Sequence, residues 1–300
     1  MNSEREIPVD AFNPLGLDGI EFVEYATNRP QAFGQVLETM GFRPIARHRS
    51  REVLLFRQGE MNIIVNSHVS ALPRSAPPME RPAIAAICFR VRDARSAFQR
   101  ALDKGAWAVP ARVEVMELNI PAIHGVGSSR IYFVDRYSDF SIYDVDFTRI
   151  PTVDPNPEPV AGLHWFGIVQ YIGSGRTEDW TEFYRELFGF EALPDDLRFG
   201  ILPKGRVLKS PCGRFYLQLI APIPEFLDPE REEMLQRVGL GAPDVLAAVA
   251  ALKKRGVEFV EAEGVHTEAR GALTKPKLGG VMFELVQHTE DRGQKADDRR

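Results

Sequence analysis

Apolar and polar positions along this chain follow one pattern four times over. An apolar run of strand length leads into an amphipathic helix that closes on a glycine, and further short apolar runs follow. The helices end at Met40-Gly41-Phe42, Lys104-Gly105-Ala106, Phe188-Gly189-Phe190 and Arg255-Gly256-Val257. In the first unit, residues 19–25 predict a strand. Pro30 opens a helix whose buried face is Phe33, Val36, Leu37 and Met40. Residues 53–57 and 61–66 then predict a hairpin about Gln58-Gly59-Glu60. The second unit has a strand at 84–91 and a helix at 93–104, with Asp93 as N-cap and Ala94, Ala97, Phe98, Ala101 and Leu102 as its stripe. It closes with strands at 130–135 and 141–147. The third unit has a strand at 164–172, a helix at 178–188 burying Trp180, Phe183, Tyr184 and Leu187, and strands near 205–209 and 214–220. In the fourth, a strand at 237–241 precedes a helix at 244–255 and a closing segment at 279–287.

Each unit is compatible with βαβββ. One such unit cannot bury its sheet face alone, whereas two together curl into a half-open barrel with a concave side suited to a ligand. The expected class is α+β, with tandem βαβββ modules paired into two half-open barrel domains at residues 15–149 and 162–288. The second of these carries the candidate site. The break at 150–161 holds Pro151, Pro155, Pro157 and Pro159 and reads as an extended linker. Residues up to about Pro14 read as a loose arm, and the charged stretch 289–300 as a disordered tail.

Composition narrows the function classes. The 300 residues carry a net charge of −5, which attracts neither nucleic acid nor an anionic membrane surface. The two cysteines, Cys88 and Cys212, fall one in each half. They imply no disulfide framework, and a reducing, cytoplasmic setting is the plain expectation. No stretch is long and apolar enough for a membrane span, and Met1 to Glu6 lack a signal-peptide pattern. No P-loop, dinucleotide fingerprint or nucleophile elbow is present.

Local motifs sharpen the fold. The segments Leu15-Gly16-Leu17-Asp18-Gly19-Ile20, His48-Arg49-Ser50, Phe56-Arg57-Gln58-Gly59-Glu60-Met61-Asn62, Glu117-Leu118-Asn119-Ile120-Pro121 and Ser141-Ile142-Tyr143-Asp144-Val145 resemble the N-terminal domain of bacterial 4-hydroxyphenylpyruvate dioxygenases. These enzymes belong to the vicinal oxygen chelate superfamily, which is built from paired βαβββ modules. Trp180 with Phe183-Tyr184, Leu187-Phe188-Gly189-Phe190 and Phe283-Glu284-Leu285-Val286-Gln287 resemble the second domain. The resemblance implies a non-haem Fe(II) site in the C-terminal barrel. Two histidines and one glutamate would hold the iron and leave positions open for a 2-keto acid and O₂. It also implies association through the barrels into a homo-oligomer, and a C-terminal gating helix that the residues after Gln287 do not supply.

Under that resemblance Glu284 takes the glutamate position. Its apolar flanks suit a buried acid, which is costly unless paired or metal-bound. The alternative is a strand glutamate facing water. Counting back from the last helix places Arg237 at the second histidine position. Arginine stays protonated and has no lone pair for a metal, but it can pair with Glu284 or a substrate carboxylate. The alternative is a rim position. Counting back from Trp180 places Gly167 at the first histidine position. His164 lies three residues earlier, an odd offset that in a strand points to the opposite face, so simple slippage does not rescue it. It is either a metal ligand or a satisfied structural histidine. His48, His68, His124, His266 and His288 show no metal spacing, although His266 could approach the pocket mouth. Where the family has an asparagine near Leu219, Ile220-Ala221-Pro222 stands.

Three readings stay open. In the first, the chain is a diverged, metal-free relative that binds a small aromatic or acidic molecule, with Arg237 as anion anchor and Glu284 as its partner. The second is an active Fe(II) dioxygenase on an aromatic 2-keto acid that uses His164 and Glu284. The third is a non-enzymatic binding or assembly protein, distinguished by a second barrel filled with large side chains.

Overall fold

A computed structural model describes residues 12–67, 81–110, 118–138, 140–194, 205–222, 233–260 and 271–289. The first half runs β1 (Ile20–Ala26), α1 (Pro30–Thr39), β2 (Arg43–His48), β3 (Val53–Gln58), β4 (Met61–Asn66), β5 (Ala83–Arg90), α2 (Ala94–Asp103), β6 (Ala122–His124), β7 (Arg130–Val134), α3 (Ile142–Asp146) and β8 (Phe147–Arg149). The second runs β9 (His164–Tyr171), α4 (Thr177–Phe188), β10 (Glu191–Ala192), β11 (Arg206–Lys209), β12 (Tyr216–Ile220), β13 (Met234–Ala242), α5 (Val245–Lys254), β14 (Gly271–Leu273) and β15 (Phe283–Gln287).

The internal repeat is visible in the pairing. β1 lies antiparallel to β5, and the two are flanked by β4 and β7 in parallel. β9 lies antiparallel to β13, flanked in the same way by β12 and β15. The sheets stay open and meet edge to edge, where Leu235 of β13 pairs with Ile84 of β5. Asp93 caps α2 as expected, accepting the Ser96 N–H at 2.6 Å. Asp244, read from the sequence as the first helical residue, caps α5 in the same way and accepts the Ala247 N–H at 2.9 Å. The four closing glycines, Gly41, Gly105, Gly189 and Gly256, have φ of 104°, 89°, 79° and 92°, where a side chain is strained.

The structure differs from the sequence reading in several details, among them the short strands β6, β10 and β14, which the sequence reading lacks. Residues 141–147 do not form a strand, because Ser141 and Asp144 close a capping box that winds Ile142–Asp146 into α3. Only Phe147–Arg149 is extended, and it pairs back to β2. β2 itself is an additional strand, masked in the sequence by Pro44 and three basic residues. The proline-rich linker does not span free space. Its Pro157 carbonyl accepts the Gly59 N–H at 2.8 Å, and Gln58 Oε1 accepts the Val160 N–H at 2.8 Å. The arm before Phe12 and the tail after Thr289 lie outside the described residues.

One apolar core runs through both halves on the outer faces of the sheets. Its centre is aromatic. Phe89 of β5 packs against Phe188 at 5.5 Å and Phe215 at 5.2 Å between centroids, and Phe133 of β7 meets Phe188 at 6.0 Å. Phe89, Phe188 and Phe215 are fully buried. Phe89→Ala removes a ring from this seam and should lower unfolding free energy in urea by about 3–5 kcal/mol. Leu246→Ala, at an exposed helix position, should change it by less than about 0.5 kcal/mol.

Candidate functional site

The inner side of the second sheet collects the residues singled out above. Gly167 of β9, Gly239 of β13 and Glu284 of β15 are successive partners across three adjacent strands. The Glu284 side chain is 2% exposed, so it does not face water. Arg237, two residues before Gly239, is 5% exposed and does not sit on the rim. Its Nε stands 3.6 Å from Glu284 Oε2, close enough for an ion pair, yet closes no hydrogen bond. The structure thus joins Arg237 and Glu284, and each offsets the burial of the other's charge.

Gly167 is glycine for a geometric reason. A Cβ there would stand 1.9 Å from the Tyr216 carbonyl oxygen of β12. No side chain, a histidine included, fits this backbone at that position.

His164 lies elsewhere than the parity argument puts it. The β9–β13 ladder shifts register between the Gly239–Gly167 and Leu240–Trp165 pairs, so Phe166 is an extra residue. A Cβ at Gly239 would come within 3.3 Å of the Phe166 ring, and one at Gly241 within 2.3 Å of His164 Nε2. Both rings therefore lie over the face that carries Glu284 and Val286, the register partners of Gly239 and Gly241. The odd offset is cancelled by the bulge.

Both ring nitrogens of His164 are nonetheless engaged. Its Nδ1–H donates to the Gly162 carbonyl at 3.0 Å, and its Nε2 stands 3.0 Å from His288 Nδ1. In a neutral His164 this arrangement leaves Nε2 to accept from the His288 N–H. His288 was not distinguished by the sequence, because 124 residues separate the two and only the pairing of strand ends brings them together. Phe166, Tyr216 and the two imidazoles form an aromatic group, with Phe166 and Tyr216 stacked at 4.9 Å. These rings help to fill the barrel. The cavity beside Glu284 holds about 20 Å³, room for about one water.

These residues do not fit an iron triad. Arginine occupies one ligand position, backbone forbids a side chain at another, and the third is paired with the arginine. Among the described residues no group of three histidine, cysteine, aspartate or glutamate side chains stands close enough to hold a metal. Ile220-Ala221-Pro222 ends β12 with no polar group in place of an asparagine. His48 accepts the Arg51 N–H at 3.2 Å in a turn, and His68 and His266 lie outside the described residues.

The comparisons agree with this architecture. A family model described as hydroxyphenylpyruvate dioxygenase, HPPD, N-terminal, matches residues 12–148. Hemolysin VllY of Vibrio vulnificus is 34% identical over 268 residues, which are 84% of this chain and 74% of that protein. The 4-hydroxyphenylpyruvate dioxygenase of Pseudomonas aeruginosa is 32% identical over 276 residues, 87% of this chain and 76% of that one. A solved mutant of 4-hydroxymandelate synthase from Streptomyces coelicolor superposes with a TM-score of 0.72 at 20% identity. The match covers 93% of this chain and 95% of that one, and shows the shared fold. The chain belongs to the 4-hydroxyphenylpyruvate dioxygenase family, within the vicinal oxygen chelate group. No described helix is long and apolar enough to cross a membrane.

The buried pair predicts an asymmetric response to mutation. Glu284→Ala strands the Arg237 charge and should cost about 3–5 kcal/mol in urea unfolding, whereas Arg237→Met with Glu284→Leu should return stability to at least the parent level.

Proposed function

We propose that this chain is a metal-free member of its family, which binds a small aromatic or acidic molecule instead of oxidising one. The observation that carries this reading is the buried Arg237–Glu284 pair at the place where the family resemblance puts two iron ligands. A guanidinium stays charged, offers no lone pair and repels a cation, and it also draws off the charge of the one carboxylate left. The close approach of Tyr216 to Gly167 supports the same reading, since the first histidine has no space to return. Association into a homo-oligomer belongs to this proposal as an implication of the family resemblance.

A second reading, an Fe(II) dioxygenase on an aromatic 2-keto acid using His164 and Glu284, draws on one observation. The bulge puts His164 on the face of Glu284, with His288 beside it. Anaerobic titration with Fe(II), followed by calorimetry and metal analysis, separates the two. No binding heat and no retained iron are expected, and Arg237→His alone should not restore binding. Tight one-to-one uptake that is lost in Glu284→Gln, together with O₂ consumption on 4-hydroxyphenylpyruvate, would overturn the metal-free reading.

A further inference from the structure

We propose that the concave face of the first barrel is a binding site for a small ring-bearing monocarboxylic acid, with Arg57 receiving the carboxylate. This does not depend on the reading of the second barrel.

The two barrels differ in what their inner faces enclose. Among the described residues, the pocket beside Glu284 in the second holds about 20 Å³, whereas the first opens into a cavity of about 1200 Å³. That volume is ample for a small ligand. Its floor is polar and ordered. Glu21 of β1, 2% exposed, accepts from Arg90 Nε at 2.6 Å and from Asn62 Nδ2 at 3.2 Å. Asn62 Oδ1 in turn accepts from Arg57 Nε at 2.8 Å. Arg57 Nη1 donates to the Pro155 carbonyl at 3.0 Å and lies 3.4 Å from Asn156 Oδ1. The guanidinium stands 5.6 Å from the Tyr143 ring centre.

Arg57 is therefore oriented on three sides, but only by neutral acceptors. Among the described residues no carboxylate lies within ion-pair distance of it, and its Nη2 has no acceptor. The neighbouring cations are served differently. Arg90 has Glu21 and Glu60, Arg214 has Asp18 at 3.0 Å, and Arg149 has Asp144 at 3.3 Å. Arg49 is exposed and reaches the Asp144 carbonyl. A half-buried cation without an anion is uncommon, because burial is costly unless charge is compensated. Burial holds the Arg57 guanidinium below its ordinary pKa, with Tyr143 and Glu21 partly offsetting this.

Tyr143 gives a second, independent indication. It lines the same cavity and is 7% exposed. Its hydroxyl stands beside the Glu21 carboxylate but completes no hydrogen bond of good geometry among the described residues. Burial first, and Glu21 second, push its pKa well above the ordinary phenol value, so it stays a neutral donor. The Arg57 Nη2 and the Tyr143 O–H thus line one cavity, the first without an acceptor among the described residues and the second beside Glu21 alone.

Charge and shape name the class. The lining carries one more arginine than carboxylates, so a monoanion neutralises it and a dianion overshoots. The free Nη2 group suits one oxygen of a carboxylate, in a charge-assisted hydrogen bond. Ile45, Leu55 and Phe147 supply an apolar wall for a ring.

Calorimetric titration of the full chain tests this with 4-hydroxybenzoate and cyclohexanecarboxylate as probes. Inorganic phosphate serves as an anion without a ring, and 4-hydroxybenzyl alcohol as a ring without charge. Both acids should bind, with the two controls weaker by about tenfold or more. Arg57→Gln should lose about tenfold in affinity and Tyr143→Phe about threefold. In the unmutated protein, methyl NMR shifts should concentrate at Ile45 and Leu55 rather than at Ile168 and Val286. Shifts at the latter pair, unchanged affinity in Arg57→Gln, or phosphate binding as tight as the acids would each overturn the assignment. Affinity lost in Arg237→Met but kept in Arg57→Gln would move the ligand to the second barrel. The Fe(II) titration is unaffected by any of these outcomes, so the two proposals fail separately.

Discussion

The structure depends on burying the outer faces of two open sheets at once. Each βαβββ unit is hydrophobic on the side its helix covers, and the helices alone do not cover it. In this chain the deficit is met across the halves. Phe89 and Phe133 of the first sheet lock onto Phe188 and Phe215 of the second, so the outer faces share one core. With the outer faces consumed, the inner faces can carry buried charge, in the first barrel beside a smaller apolar cluster that includes Phe22, Leu55 and Phe147. That mixed lining is why a chain of this size can carry two candidate interiors at all.

The two interiors handle buried charge in opposite ways. In the second barrel a guanidinium and a carboxylate face each other, rings of Phe166 and Tyr216 stack over the sheet, and among the described residues little space remains beside Glu284. The arrangement resembles a repaired core more than a reaction centre. In the first, Glu21 is fully served while Arg57 is held in place and left with an open edge. Fixed orientation without a charged partner is the arrangement of a receptor, because a ligand then meets groups that need no reordering. Family membership fixes the framework, and the chemistry resides in which of its residues remain.

Much of the fold was legible because its signals are local. Helix faces, the Asp93 cap and the closing glycines follow from residue spacing alone. Where neighbours in sequence disagreed, the reading failed. Ile142, Tyr143, Val145 and Phe147 look strand-like, yet Ser141 and Asp144 bond to each other and set a helix. The site was legible in its residue types but not in its geometry. Arg237 and Glu284 could be paired from the strand pattern, since both lie on central strands. His164 could not be oriented, because one inserted residue at Phe166 reverses a face and leaves no mark in composition. The Arg57 cluster draws on β1, β3, β4, β5 and the linker, and only Arg57 and Asn62 of its members share a motif.

The pairing of β8 with β2 has a consequence for synthesis. Strand β2 ends at His48, but its outer edge is closed by a strand that begins at Phe147. As the chain leaves the ribosome, the first sheet keeps an open edge until nearly half of the protein has emerged. After that edge is covered, Phe89 and Phe133 still wait for Phe188, so an aromatic surface stays exposed until the second half follows. Such an interval favours association with other nascent chains or with chaperones. The same seam that makes the finished molecule one body thus sets its most vulnerable moment, midway through translation.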